Sequence, residues 1–179
     1  GGWAGGPKLR ATGFFRTDRF EGKWWLVDPD GHLFFSHGID CVRMLDVTPV
    51  EERDDWFEDF PGAQPGFAEF VRSGYALKGH YAGRSPRCFA FAGANFKRKY
   101  GSDWATAYPD IVHRRLRAWG LNTIGMWSDE GVRLLRRTPY VDAVGSHGVR
   151  MIEASEGYWG KFPDVFDPAF GRSLERQIE

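Results

Sequence analysis

The chain has 179 residues, of which 42% are hydrophobic, and its 24 Lys+Arg balance 24 Asp+Glu. This is a globular composition long enough for one domain, and the charge balance gives no reason to expect nucleic acid or an anionic membrane as partner. No apolar run approaches the ~18 residues of a membrane helix, and the two cysteines, Cys41 and Cys88, match no metal-ligand spacing and argue for no disulfide by themselves.

The chain begins GGWAGGPK, a glycine-rich lead-in without the pattern of a signal peptide. Residues 1–11 read as a linker from an upstream module, and 12–179 as one portion of a larger domain. Residues 11–16, ATGFFR, read as a short strand pairing near Lys23–Val27. The stretch 21–43, EGKWWLVDPDGHLFFSHGIDCVR, is the centre of the reading. Lys23–Val27 is an aromatic, strand-forming run, Asp28-Pro29-Asp30-Gly31 is turn chemistry, and 32–36 resumes the strand. Trp24 and Trp25 are adjacent, so one faces inward and the other outward. After Gly38 the pattern turns polar with Asp40, Cys41 and Arg43.

Residues 43–101 have poor periodicity. The acidic run 51–55 reads as a solvated face, 67–71 as a helical turn or two, and 95–100, NFKRKY, as a basic helix end. Arg84, Arg87, Lys97, Arg98 and Lys99 read as solvated charge. Residues 102–119 form the best helix. Ile111, Val112, Arg115, Leu116 and Trp119 recur at three- and four-residue spacing, with His113, Arg114 and Arg117 off that face. Pro109 opens or kinks this helix and Gly120 stops it. The run 121–127, LNTIGMW, follows as a strand. Ser128 or Asp129 caps a helix over 130–137, and 140–144 is a third core strand. A long loop over 145–163 holds a short strand at 149–152. Asp167-Pro168 then opens a helix through Ile178. Helix, glycine, strand in this order is half of a parallel βα repeat, and three βα units are expected.

In parallel βα units the loops after the strands share one face. The segments 36–43, 127–130 and 145–164 are therefore expected to bring Asp40, Arg43, Trp127, Asp129, Glu153, Glu156, Tyr158, Trp159 and Lys161 around one mouth. Carboxylates, an arginine and aromatic faces suit a polar, ring-shaped ligand such as a sugar. Glu153 and Glu156 are three apart on one loop and read as structural or substrate contacts rather than as two carboxylates opposed across a glycosidic bond. Asp129 reads equally as a helix cap, Asp167 as a cap, and His32, His80 and His113 as ordinary loop or surface residues, with His37 beside the strand end. No H-E-x-x-H, Walker, dinucleotide or G-x-S-x-G pattern is present.

WWLVDPDGHLFFSHGID, NFKRKYGSDW, RRLRAWGLNTIGMWSD, TPYV and SEGYWGKFPDVFDPAF, in this order over residues 12 to about 172, resemble the first part of the catalytic module of β-agarases of glycoside hydrolase family 50. The resemblance implies an α/β fold, a (β/α)8 TIM barrel of which 33–40, 121–127 and 140–144 are the first three strands, preceded by the β-hairpin. It implies a retaining glycosidase acting on the β-1,4 linkages of agarose or a related polysaccharide, without metal or organic cofactor, in a secreted or periplasmic protein. The family's two catalytic glutamates lie at later strands, so no residue here inherits that role. Arg43, Trp127, Asp129, Glu156, Trp159 and Lys161 are the candidate substrate-binding residues. Met126 stands where the family's second strand has an asparagine. A non-catalytic carbohydrate-binding or degenerate barrel protein is the alternative.

Three of eight strands leave an open sheet edge, and open edges invite aggregation. The 179-residue chain made alone is expected to be poorly soluble and inactive on agarose. Light scattering and release of reducing ends check this, and a well-folded active monomer would refute it.

Overall fold

A two-residue turn sets the first sheet. In the computed structural model, which describes residues 1–179 except Leu77, Ser155, Glu156, Tyr158, Trp159 and Glu179, β1 (Arg16–Phe20) pairs antiparallel with β2 (Lys23–Val27). Glu21 and Gly22 join them at φ values of 49° and 77°. Successive positive φ angles match the twist of a tight hairpin. This turn fixes the register Arg16↔Val27 and Arg19↔Trp24. The expected strand over 11–16 is thereby moved to Arg16–Phe20. Trp24 is exposed, with the Arg19 guanidinium 5.0 Å from its ring centre, while Trp25 is half-buried.

β3 (Leu33–Phe34), shorter than the expected 32–36, pairs antiparallel with the other side of β2. Asp28 locks the turn between them. Its carboxylate accepts the N–H groups of Gly2, Asp30 and His32 at 2.7, 3.1 and 2.8 Å. Burial by itself raises its pKa, but these donors and the neighbouring His32 outweigh that, so the net shift is downward.

β4 (Gly38–Ile39) is followed by a segment that looked structureless. It holds β5 (Thr48–Pro49), 3-10 turns at Asp54–Trp56, Pro61–Ala63 and Ala68–Phe70, then β6 (Val71–Ser73) and β7 (Arg87–Phe89). These strands form an antiparallel sheet in the order β5-β7-β6. Val50, Phe70, Phe89, Ala90, Ala94 and Trp104 make its core, and Phe57, Phe60, Phe67 and Phe91 close around it. Arg87 pairs with Asp54 and donates its backbone N–H to Glu51, and Lys97 pairs with Glu69. These charges, expected to be merely solvated, pin the turns to the sheet and to the next helix.

α1 (Phe91–Tyr100) and α2 (Trp104–Ala118) follow, with Pro109 inside α2. The end of α2 is a Schellman turn. Gly120 N–H donates to Arg117 O and Leu121 N–H to Leu116 O, at 3.1 and 2.8 Å. β8 (Thr123–Ile124) pairs parallel with β4, and Tyr140 adds a single parallel bridge to Ile124. The third strand expected over 140–144 is thus reduced to that bridge. The expected helix over 130–137 is only α3 (Glu130–Arg133). Tyr108, Val112, Leu116, Ile124 and Val132 form the second core, joining α2, β8 and α3.

Two side chains of α2 differ from the periodic reading. Trp119 is exposed because the chain has already left the helix at that position, and His113 is buried. The ring of His113 meets Val132 O through Nε2 at 3.2 Å and Thr138 Oγ1 through Nδ1 at 2.9 Å. A carbonyl only accepts, so Nε2 carries the proton and Nδ1 takes the threonine's. Polar contacts of this kind, invisible to hydrophobic spacing, permit a histidine in the core.

Residues 1–74 and 87–141 form one compact unit, and 75–86 and 142–179 a second. In the second, Met151 bridges Pro163 antiparallel, and α4 (Pro168–Ile178) is capped by Asp167, whose Oδ1 accepts Ala169 N–H at 2.8 Å. Ser173 of α4 exchanges hydrogen bonds with the backbone of His147.

Burial, and secondarily the Arg137 charge, lowers the pKa of His113 below its ordinary 6.5, against the opposing pull of Val132 O and Asp110. The unfolded chain then binds more protons than the native one, so stability is full above pH 6.5 and declines as pH falls through that value. The melting temperature of His113→Gln is expected to fall less than that of the wild type between about pH 7 and about pH 5. Thermal melts across that range check this; parallel curves would remove His113 as the cause.

Candidate functional site

The parallel pair β4 and β8 delivers two chain segments to one end. At Gly38 a Cβ would lie 2.1 Å from the Thr123 carbonyl oxygen, so only glycine permits this strand spacing. Beyond the strands the two segments remain laced together. Gly125 N–H donates to Ile39 O and Cys41 N–H to Met126 O, both at 2.8 Å. Met126 N–H donates to Asp40 Oδ1 at 3.0 Å. Val42 N–H donates to Ser128 Oγ at 3.0 Å, and that hydroxyl donates to Gly125 O at 2.8 Å. Asp129 N–H donates to Val42 O, and Asp129 Oδ2 accepts Met44 N–H, each at 3.0 Å.

Within this lacing Cys41 and Trp127 sit at φ values of 56° and 57°. Such angles cost non-glycine residues roughly 1–3 kcal/mol each and persist where the surroundings over-determine them. Here the hydrogen bonds on both sides hold the backbone, and the Trp127 indole projects with 65% of its surface exposed. Arg43 pairs with Asp46 at 3.0 Å beside it. Burial raises the pKa of the Tyr108 phenol, and the charges of Asp129 and Asp46 raise it further, so the phenol stays protonated.

The candidate residues therefore have different fates. Arg43, Trp127 and Asp129 come together at the strand ends. Asp129 occupies the cap position of α3, yet its carboxylate caps nothing and instead holds Met44 N–H. Lys161 lies exposed in the second unit, as does Glu153. Glu156 and Trp159 fall outside the described residues. Ser128 and Asp40 carry more of the geometry than their sequence context revealed, because their partners lie 86 residues away. The carboxylates of Asp40, Asp129 and Asp46 are each engaged, two by backbone N–H groups and one by an arginine. This mouth offers an exposed indole face and an arginine–carboxylate pair, a combination suited to holding a sugar ring. His37 is exposed at the other end of β4, where its N–H donates to Asn122 Oδ1.

No protein-family model matches the chain. It is 35% identical to β-agarase B of Vibrio sp. (strain JT0107) over 205 aligned positions, covering 98% of this chain and 20% of that protein. It superposes on PfGH50B with a TM-score of 0.74 at 29% identity, covering 99% of this chain and 29% of that one. With the agarase AgWH50C the TM-score is 0.77 at 26% identity, covering 99% and 28%. The likeness to family 50 β-agarases read from the motifs is thus present in both sequence and fold. The chain spans about a fifth of the length of the curated relative it matches.

A Cβ at Gly125 would fall 1.9 Å from Asp40 Oδ1 and 3.0 Å from Ile39 O. Gly125→Ala is expected to destabilise by about 1–3 kcal/mol, through overpacking and loss of the Asp40–Met126 bond. The cost should shrink in an Asp40→Ala background. A urea-unfolding double-mutant cycle measures the coupling, and strict additivity would remove Asp40 as the obstacle.

Proposed function

We propose that this chain is the first part of a (β/α)8 barrel in a glycoside hydrolase that cleaves β-1,4 linkages of agarose or a related polysaccharide. The observation that carries the reading is the 35% identity to a β-agarase over nearly the entire chain. The parallel register of β4 and β8, with Tyr140 bridged beside β8, supports it. β4, β8 and the Tyr140 bridge stand for the first three barrel strands, each shorter than the spans 33–40, 121–127 and 140–144 expected from the resemblance, and residues 1–11 for the linker before them. In such barrels function gathers where the strands end, and the Trp127 indole stands there.

The reaction is retaining double displacement. Two carboxylates ~5 Å apart act as nucleophile and as acid/base. The family resemblance puts both catalytic carboxylates on later strands, and Asp40, Asp46 and Asp129 here are held by other partners. The residues of this chain do the holding. Trp127 offers its face to a pyranose ring, with Arg43 and Asp129 on the same strand-end segments; Lys161, Glu156 and Trp159 remain separate candidates for substrate contact. A polymer too large to enter a cell requires a secreted or periplasmic enzyme.

The test is release of reducing ends from agarose by the complete protein. Trp127→Ala is expected to raise KM for agaro-oligosaccharides about tenfold, equivalent to ~1.4 kcal/mol, with an unchanged melting temperature because the ring is exposed. Binding without cleavage would assign the protein to carbohydrate recognition. Neither binding nor cleavage by a folded protein would overturn the reading.

A further inference from the structure

The first unit carries a second feature at the opposite end of β8. A cavity of about 440 Å³ opens there, bounded by Leu121 and Asn122 before β8, Pro139 before the Tyr140 bridge, the last turns of α2, and Gly1. Its volume lies in the range of small-molecule sites. Three guanidinium groups line it: Arg114, Arg117 and Arg137. Arg137 pairs with Asp110. Arg114 and Arg117 have no carboxylate partner among the described residues. They are three apart on a helix, so they neighbour each other and their like charges repel.

The rest of the wall supplies no negative charge. His113 is neutral, with its Nε2 proton on Val132 O and its Nδ1 accepting from Thr138. The side chain of Asn122 is occupied by the backbones of Phe35 and His37. Ala118, Leu121 and Pro139 add apolar surface. Planar guanidinium forks recognise oxyanions through paired hydrogen bonds, and the apolar wall suits the carbon face of a sugar ring.

We propose that this cavity binds a sugar unit carrying a sulfate or phosphate ester, with Arg114 and Arg117 on the oxyanion and the Leu121–Pro139 wall on the ring. It is separated by the length of β8 from the Trp127 mouth and does not depend on the hydrolase reading. Arg137 joins the anion to the extent that the anion displaces Asp110. His113 lines the same cavity as Arg114 and Arg117 and feels the charges of Arg137 and Asp110, so a bound anion reaches its imidazole as a change in local charge.

The experiment is calorimetric titration of the complete protein with glucose 6-sulfate, glucose 6-phosphate and inorganic sulfate at fixed ionic strength. It is repeated on Arg114→Gln/Arg117→Gln and on Trp127→Ala. Saturable binding of a sugar ester is expected, at least about tenfold tighter than inorganic sulfate. The double arginine variant should lose about tenfold or more, and Trp127→Ala should leave the affinity unchanged. The melting temperature of the double variant should hold, since both side chains are exposed and unpaired. The imidazole NMR titration of His113 should move upward with ligand in the wild type and stay still in the double variant, placing the ligand in this cavity. If only one of the two esters binds, the recognised ester is identified and the proposal stands. Equal affinity for inorganic sulfate would overturn the sugar ligand, equal affinity in the double variant would overturn the site, and the absence of saturable binding would overturn both.

Discussion

The close approach of Gly38 to Thr123 is the constraint on which the first unit depends. A side chain at that position would collide with backbone, and backbone cannot rotate away. With glycine there, β4 and β8 pair in parallel across a separation of 85 residues. Every later bond between 39–44 and 125–129 follows from that register. The same pairing places Ile124 between the sheet and α2, where Tyr108, Val112, Leu116 and Val132 enclose it. Site and core are therefore set by one backbone contact.

The aromatic residues divide into two populations with different physics. Phe70, Phe89 and Trp104 are buried, and Phe70 meets Phe89 edge-on and Trp104 at a tilt, with ring centres 6.3 and 5.2 Å apart. Such pairs add to the burial of apolar area. They organise a segment with little regular secondary structure, which is why that segment lacks periodicity yet folds. Trp24 and Trp127 are exposed and lean on neither core. The first is covered on one side by Arg19, whereas the second stands on a backbone held in an unfavourable conformation. The enforced backbone conformation fixes where that exposed indole stands.

Charge follows a similar division. A chain with zero formal net charge still concentrates it locally. Arg87 with Asp54 and Lys97 with Glu69 bind turns to neighbouring elements, and Asp28 gathers N–H groups around a turn. Arg114 and Arg117 are left over at the far end of β8. The two ends of that strand thus differ in character: an indole with an arginine–carboxylate pair at one, guanidinium groups over an apolar wall at the other.

Elements whose cause is local were legible in the sequence. The Asp28–Gly31 turn, the Asp167-Pro168 start of α4, the glycine stop at Gly120 and the body of α2 each depend on residues within a turn of one another. The motifs that resemble family 50 β-agarases were legible for the same reason, since each is a continuous string. The first strand was misplaced because ATGFFR has strand composition while the turn at Glu21-Gly22, five residues on, decides where pairing begins. His113 was misread because its two partners come from α3 and from Thr138, and Trp119 because spacing does not report where a helix face stops being covered. Composition and local order alone determined which residues could make turns, caps, strands and helices. Only the tertiary structure decided that Asp129 holds Met44, that Asp40 holds Met126, and that Trp127 is offered to solvent, because each depends on groups brought together by pairing across more than 80 residues.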